Sequence, residues 1–356
     1  MFSFFNKNKK PLTAVINDRA IDVLPKETLL NAALRNNIEF PHSCRVGGCA
    51  ACKCQLTDGQ VRELTDAGYI LSDDDLDQGY ILACQSVPKT DIRIRLDNPT
   101  TALQQLDGTI IGQQKLTHDI TRLTIRCDTT LPFRPGQFAD LTLASLPGIS
   151  RSYSFASASQ EPGVLEFFVR EVPGGQFSGR INQQDLGGET IGIHGPLGDF
   201  WLRPAANPII MLAGGSGLAP IIAMLQAQLA ESRQRPLWLL FGARQQRDLY
   251  AEQTLANIQQ QWQAPFYFIP VLSEEAETSD WPGERGLVTD PLPRLFADHT
   301  ELSHSHAYLC GPPAMIDAAQ NTLLSLGINA THIYADRFAT QADQSPQQTQ
   351  SHATPA

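Results

Sequence analysis

Four cysteines constrain this chain more than any other feature. Cys44, Cys49 and Cys52 stand in a C-x4-C-x2-C arrangement, and Cys84 follows after a further 31 residues. Three thiols in one loop, with a fourth returning from far along the chain, call for backbone wrapped around a compact inorganic core. Four thiolates on this spacing hold the two sulfide-bridged irons of a 2Fe–2S cluster. Such a loop bends sharply, and Gly47 and Gly48 supply left-handed backbone that other residues enter only at a steric cost. A structural zinc also accepts four thiolates, but zinc sites usually pair two short knuckles, whereas Cys84 stands alone. A Rieske centre needs two histidines in place of two cysteines; His42 neighbours the loop, but no second Cys-x-x-His occurs. Disulfide frameworks belong to small secreted chains, unlike this one. Cys54 is read as a buried spectator thiol, with an alternate ligand as the other option.

At 356 residues the chain has length for two or three domains. Its 42% hydrophobic and 18% charged content is that of a soluble globular protein. A formal charge of −10 with no basic stripe excludes a nucleic-acid surface. The opening Met1-Phe2-Ser3-Phe4-Phe5 run is short, and its lysines follow rather than precede it, so no signal peptide is expected. No stretch approaches the ~18 apolar residues that span a bilayer. The expected compartment is the cytoplasm.

After a leader at 1–12, residues 13–98 alternate short strands with helices. Strands at 13–16 and 21–24 flank an Asn17-Asp18-Arg19 turn, and 28–36 reads as a helix with Leu29, Leu30, Ala33 and Leu34 on one face. A strand at 53–56, a polar helix at 72–78 and a strand at 80–84 follow. Ile92, Ile94 and Leu96 alternate with Arg93 and Arg95 in a strand expected to close the sheet. Strands, helix, cysteine loop and late cysteine in this order resemble the plant-type ferredoxins, which implies a β-grasp fold with its cluster near the surface.

A linker at 99–105 leads to an all-β stretch, 106–204. There Leu123, Ile125 and Cys127 alternate with polar residues, making Cys127 a core residue, and Pro-Gly turns punctuate strands at 137–143 and 164–169. A small antiparallel barrel fits this spacing. From 205 to 338 the period changes to continuous apolar strands at 208–213, 236–242, 266–271 and 307–310, with helices at 219–231 and 315–326. This is an α/β nucleotide-binding pattern with a parallel sheet. Residues 339–356 are polar, glutamine-rich and aperiodic, and read as a disordered tail. The fold class is therefore multidomain: α+β, then β, then Rossmann-like α/β.

Arg151-Ser152-Tyr153-Ser154, Gly174-Gly175-Gln176-Phe177-Ser178, Gly214-Gly215-Ser216-Gly217-Leu218-Ala219-Pro220 and Cys310-Gly311-Pro312-Pro313-Ala314-Met315 follow one another along the chain. A glycine-rich strand-to-helix turn lets a pyrophosphate approach unpaired helix amides. The turn lacks a Walker lysine and has Pro220 where a Rossmann fingerprint carries glycine or alanine. In this order the segments resemble the R-x-Y-S, second flavin, G-G-x-G-x-x-P and C-G-P-P-x-M signatures of the ferredoxin–NADP reductase superfamily. The resemblance implies an FAD site in which Arg151 faces the flavin phosphates, Ser152 is a further cofactor-binding residue, Tyr153 packs on the flavin and the Ser154 hydroxyl reaches toward its N5. Gly174, Gly175, Gln176 and Ser178 would hold the pyrophosphate. Gly214, Gly215, Gly217 and Pro220 would form the nicotinamide-dinucleotide turn, with Cys310, Gly311 and Pro312 beside the nicotinamide and Phe338 near the flavin. Ser154 and Cys310 are thus the candidate catalytic residues.

Arg244 and Arg247 follow the second strand of the last domain, where arginines accommodate a 2′-phosphate; NADH is the expected nucleotide, with NADPH the alternative. His304 and His306 are read as loop histidines rather than a ligand pair. Asp73, Asp74, Asp75 and Asp77 are read as a solvated helix face, with an acidic docking patch as the other option.

Cluster, flavin barrel and nicotinamide domain in this order resemble the reductase components of multicomponent bacterial oxygenases. The resemblance implies that hydride passes from NAD(P)H to FAD, and single electrons pass on to the cluster and a separate terminal oxygenase or hydroxylase. The same order occurs in reductases serving deoxysugar dehydratases. A zinc-stapled nucleotide-binding module is the non-catalytic alternative.

Overall fold

The computed structural model describes residues 11–38, 40–42, 45–47, 50–71, 73–96, 103–158, 161–231, 234–297 and 302–338. Cys44, Gly48 and Cys49 lie outside the described residues, as do the side chains of Asp73 and Asp74, most of the leader and linker, and the tail at 339–356.

The first unit comprises β1 (Leu12–Ile16), β2 (Arg19–Val23), α1 (Leu29–Arg35), β3 (Lys53–Asp58), β4 (Val61–Glu63), α2 (Asp73–Asp77), β5 (Tyr80–Leu82), β6 (Ser86–Pro88) and β7 (Ile92–Arg95). β1 and β2 form a hairpin with Ile16 opposite Arg19, so Arg19 opens a strand instead of belonging to the turn. Asn17 takes a φ of 51°, a left-handed value that asparagine tolerates. The Thr28 hydroxyl accepts the Asn31 amide and caps α1, which buries Leu29, Leu30, Ala32 and Ala33; Leu34 is only half-buried. The main sheet runs β2-β1-β7-β3-β5. β7 therefore sits in the middle, parallel to β1 and antiparallel to β3, and does not close the sheet. Alternating burial of Ile92 and Ile94 marks one packed face but carries no information about a strand's place in the order.

The second unit comprises β8 (Gln104–Lys115), β9 (Ile120–Cys127), β10 (Phe138–Leu143), β11 (Ser150–Ser154), β12 (Val164–Arg170), α3 (Gln176–Gln183) and β13 (Thr190–Leu197). Its strands run β11-β10-β13-β8-β9-β12, all pairings antiparallel. A Phe155–Phe167 bridge and a 2.8 Å hydrogen bond from the Ala156 amide to the Glu166 carbonyl bring the two ends together as a barrel. Cys127 is buried in its core beside Leu123 and Ile125.

The third unit comprises β14 (Ile209–Gly214), α4 (Leu218–Gln228), β15 (Leu237–Ala243), α5 (Glu252–Gln261), β16 (Phe266–Leu272), β17 (Glu284–Arg285), α6 (Leu292–Leu295), β18 (His306–Gly311), α7 (Pro313–Ser325) and β19 (Ile333–Arg337). Its sheet, β17-β16-β15-β14-β18-β19, is parallel throughout. Met211, Leu239 and Phe241 face α4 and α5, whereas Ile210, Leu212 and Leu309 face α6 and α7. Layers on both faces explain why β14 is buried along its whole length. The barrel joins this unit through Ile120, Phe168 and Phe200, which belong to the same apolar cluster as α4. Among the described residues, no helix is long and apolar enough to cross a membrane.

Candidate redox site

Two of the four metal-spaced cysteines are described, and the fold brings them together. Cys52 and Cys84 are buried, and the Cys84 amide donates to Cys52 Sγ at 3.5 Å. The Gln85 side-chain amide lies 3.6 Å from Cys84 Sγ and donates to the Arg45 carbonyl at 3.2 Å. The loop is left-handed at Arg45 (φ 59°), Gly47 (φ 82°) and Ala50 (φ 51°). Left-handed backbone at two non-glycine residues costs of order 1 kcal/mol each and persists only where the surroundings hold it. Converging thiols with N–H donors aimed at their sulfurs fit thiolate ligands of a 2Fe–2S cluster. Cys54 instead lies fully buried in the core of this unit, its Sγ 3.9 Å from the Ile81 carbonyl.

The two flavin segments also meet. Tyr153 on β11 stacks on Phe177 of α3 with ring centroids 5.5 Å apart. Arg151 is exposed on the same strand, and among the described residues no carboxylate pairs with it; its Nη1 donates to the Ser150 carbonyl. Ser152 points its hydroxyl to Asp140. α3 starts at Gln176, and its N-cap Gly175 offers no side chain to the first-turn amides. A Cβ at Gly175 would fall 2.6 Å from Ser178 Oγ and 2.9 Å from the Val172 carbonyl, so only glycine closes this turn. Gly174, with φ 72°, sits beside it. The buried Ser178 hydroxyl accepts the Val172 amide at 3.1 Å, fastening the turn to the helix. An exposed guanidinium with no carboxylate partner among the described residues, and helix amides without a side-chain cap, each suit a pyrophosphate.

The remaining loops lie at the carboxyl ends of β14 and β18, neighbours in the parallel sheet. This is where open α/β sheets bind their ligands. Gly214 to Gly217 turn from β14 into α4, and a Cβ at Gly217 would stand 2.3 Å from the Cys310 carbonyl oxygen. A Cβ at Gly214 would meet Met315 Sδ at 2.6 Å. The Tyr250 hydroxyl donates to the Gly215 carbonyl at 2.8 Å. Pro220 falls in the first turn of α4, where its missing N–H leaves nothing unpaired. Pro312 caps α7, and Phe338 donates its amide to the Gly311 carbonyl at 2.9 Å.

Barrel and nicotinamide unit converge on a residue that the sequence reading missed. Asp336 is in register with Cys310 across β18 and β19, and the Ser154 hydroxyl donates to its Oδ2 at 3.5 Å. The open part of Asp336 faces a cavity of about 50 Å³ where the three units meet, lined among others by Ala50, Asp75, Phe138, Asp199 and Tyr334. Burial pushes its carboxyl up to about 7, against the opposing pull of the Ser154 bond. Burial likewise raises the Cys310 thiol, with Asp336 adding to it, so Cys310 remains a neutral thiol. A carboxylate at the end of a short strand gives no periodic signal; only the register of β18 against β19 singles it out.

Arg244, at the end of β15, lies 3.4 Å from Asp119 Oδ2 and 3.7 Å from Asp248 Oδ2. Burial raises the Asp119 carboxyl, but the Thr117 hydroxyl and Arg170 outweigh it and hold it below its ordinary range. Asp75 is not part of a solvated face: it pairs with Lys53 at 3.2 Å, whereas Asp77 is exposed. His306 is not in a loop but buried on β18 beside Tyr308, His332 and Tyr334, and burial with His332 lowers its pKa to about 4. His304 lies in a separate exposed turn. Among the described residues one group, His118, Asp119 and Asp248, has metal-like spacing, and Arg170 and Arg244 already neutralise its carboxylates.

Comparisons with known proteins agree with these three units. Residues 15–89 match a 2Fe-2S iron-sulfur cluster binding domain, 107–201 an oxidoreductase FAD-binding domain and 211–321 an oxidoreductase NAD-binding domain. The xylene/toluene monooxygenase electron transfer component XylA of Pseudomonas putida is 42% identical over 315 residues, 88% of this chain and 89% of that protein. The reductase component of the naphthalene 1,2-dioxygenase system of Pseudomonas putida is 33% identical, covering 90% and 96%. Among solved structures, the Amycolatopsis cytochrome P450 reductase GcoB superposes with a TM-score of 0.71 at 30% identity, over 92% of this chain and 99% of that one. A ferredoxin reductase in carbazole 1,9a-dioxygenase gives 0.67 at 27%, over 92% and 98%. The chain thus belongs to the family of reductase components of bacterial monooxygenase and dioxygenase systems, electron-transferring oxidoreductases with 2Fe–2S, FAD-binding and NAD-binding domains.

Proposed function

We propose that this protein draws electrons from NAD(P)H, NADH foremost, and delivers them through FAD and its 2Fe–2S cluster to a separate terminal oxygenase or hydroxylase in the cytoplasm. We assign the ferredoxin, flavin and nicotinamide domains to 13–98, 106–204 and 205–338. When bound, FAD takes up the electron pair that NAD(P)H gives together and releases it singly, as an iron–sulfur acceptor requires.

The chain's own residues hold and shield that exchange. Cys44, Cys49, Cys52 and Cys84 ligate the cluster. Arg151 and the α3 turn at Gly174, Gly175, Gln176 and Ser178 grip the flavin pyrophosphate, while Ser152, Tyr153, Ser154 and Phe338 pack the rest of it. Gly214, Gly215, Gly217 and Pro220 admit the dinucleotide pyrophosphate, and Cys310, Gly311 and Pro312 bound the nicotinamide. Two carboxylates around Arg244 compete with a 2′-phosphate for its guanidinium, which favours NADH over NADPH. Below about pH 7 Asp336 keeps its proton and adds no negative charge beside Ser154.

One observation carries the reading: Ser154 faces Asp336 on the nicotinamide side and pairs in register with Phe138, which packs on Ala51 beside Cys52. The flavin strand is thereby the common neighbour of donor loop and cluster loop. Absorbance of the purified protein, followed by anaerobic titration with NADH and then NADPH, tests it. Flavin and iron–sulfur bands bleached by NADH, with a reduced-cluster EPR signal, are expected. A yellow protein without iron, or a colourless one with zinc, overturns the proposal.

A further inference from the structure

Among the described residues, the ferredoxin domain meets the barrel at one ion pair. Lys53 follows Cys52 directly and opens β3. Its Nζ lies 2.5 Å from Asp199 Oδ2, on the segment after β13, and 3.2 Å from Asp75 Oδ1 on α2. The ring of Tyr80 stands 5.0 Å away. Asp199 is held from behind: Trp201 Nε1 donates to its Oδ1 at 3.0 Å and Arg203 Nη2 to its Oδ2 at 2.9 Å. Lys53 is 17% exposed and Asp199 32%, so the pair is largely shielded from solvent. Burial raises the Asp199 carboxyl, yet Arg203 and Lys53 prevail and keep it ionised.

On the other side of Cys52, Ala51 is buried against Phe138 and Leu197 of the barrel. Apolar packing of one residue against two resists separation but leaves rotation and sliding open. An ion pair two residues along, with its carboxylate clamped by Trp201 and Arg203, fixes register because only one placement satisfies it.

We propose that Lys53 is a positioning residue: its pairing with Asp199 holds the ferredoxin domain in the orientation that keeps Ala51 and Cys52 on Phe138, and so sets the rate of electron passage from flavin to cluster. This rests on the function proposed above. Each NADH oxidised to NAD⁺ releases one proton and two electrons, and the cluster that Cys52 and Cys84 would help to hold would accept those electrons one at a time across this contact and pass them to the acceptor protein. Lys53 undergoes no chemistry in that sequence.

The test compares wild type with Lys53→Glu, Lys53→Arg and Asp199→Asn, all loaded with FAD and cluster. Anaerobic stopped-flow mixing with NADH reads flavin bleaching and cluster reduction separately. The expected result is unchanged flavin bleaching in every variant. Cluster reduction should be slower by roughly tenfold or more in Lys53→Glu, where three carboxylates would face one another, and near wild-type in Lys53→Arg. Asp199→Asn, which leaves the ferredoxin domain's own residues unchanged, should also slow cluster reduction. Carbodiimide coupling of the resting protein, mapped by peptide mass spectrometry, should join Lys53 to Asp199. The proposal is overturned by wild-type cluster reduction in Lys53→Glu and Asp199→Asn. It is equally overturned by a slowing that a shift in cluster potential fully explains, or by coupling of Lys53 to Asp75 alone. A wild-type flavin that NADH does not reduce would instead sink the proposed function.

Discussion

Replacing Gly217 by alanine tests the nicotinamide slot with a single methyl group. Gly217 has φ −62° and ψ −8°, a right-handed conformation that alanine adopts without strain, so only the contact changes. The new Cβ would lie 2.3 Å from the Cys310 carbonyl oxygen, 2.6 Å from its carbon and 3.0 Å from the Gly311 nitrogen. Ordinary contact begins near 3.4 Å, so the two loops must part by about 1 Å. All three obstructing atoms are backbone and cannot rotate aside. Overpacking of this kind costs ~1–3 kcal/mol of stability. The larger effect is on rate, because a misplacement of about 1 Å between reacting partners costs up to ~100-fold.

The assay is anaerobic stopped-flow reduction of the bound flavin by saturating NADH, with dithionite as a control that bypasses the slot. Gly217→Ala should bind FAD and assemble its cluster normally, respond normally to dithionite, and bleach with NADH about 100-fold more slowly. Bleaching within twofold of wild type would refute the reasoning, since the packed G-G-x-G and C-G-P-P loops would then not set the nicotinamide's position.

Three further perturbations address the other sites. Cys54→Ala should keep the iron–sulfur absorbance and EPR signal while losing about 1 kcal/mol of stability, because Cys54 packs in the core; loss of the cluster would make it a ligand. Arg151→Ala should weaken FAD rebinding roughly 10–100-fold in a fluorescence titration, the worth of a charge-assisted hydrogen bond, and leave the melting of the flavin-free protein unchanged. Asp336→Asn should alter the pH dependence of stability. The folded carboxyl titrates near 7 and the unfolded one near 3.8, so between these values the folded protein retains a proton that the unfolded chain has lost. Wild-type stability therefore falls as pH rises through that window, and the asparagine variant should gain on it by roughly 1–3 kcal/mol between pH 5 and pH 8. An equal melting difference at both pH values would count against a buried, proton-retaining Asp336.

What could be read in advance was local. Continuous apolar runs announced β14, β15 and β18 because strands buried on both faces tolerate little else, and the glycine turns announced loops that a Cβ would obstruct. Contacts made between distant segments were silent. Lys53 and Asp199 are 146 positions apart, and nothing in either neighbourhood marks them as partners. Asp75 read as one more solvated acid in an acidic helix until its lysine appeared across from it. His306 looked like a loop residue because two histidines near a turn carry no period, whereas the strand in fact begins at that residue. The central position of β7 was equally hidden, since alternation reports a face and not a neighbour.

The contacts among the three units form a closed ring, which bears on how the chain works. Ala51 and Lys53 tie ferredoxin to barrel, and Phe168 and Phe200 tie barrel to nicotinamide domain. Arg337 completes the ring by lying under the Tyr69 ring at 5.1 Å, donating to the Tyr69 carbonyl at 3.3 Å and pairing with Asp317 at 3.1 Å. The barrel–nicotinamide link is buried and apolar, whereas the two links of the ferredoxin domain are largely polar, a kind that holds domains weakly. Closed into a ring, the Arg337 contact backs the register that the Lys53–Asp199 pair sets, because the barrel and nicotinamide domain that carry the two are themselves packed together. Arg337 lies between Asp336 and Phe338, the residues that reach Ser154 and Gly311. The contact with Ser154, the contact with the ferredoxin domain and the contact with the Gly311 loop are therefore made by three consecutive residues, the last two of β19 and the one that follows it.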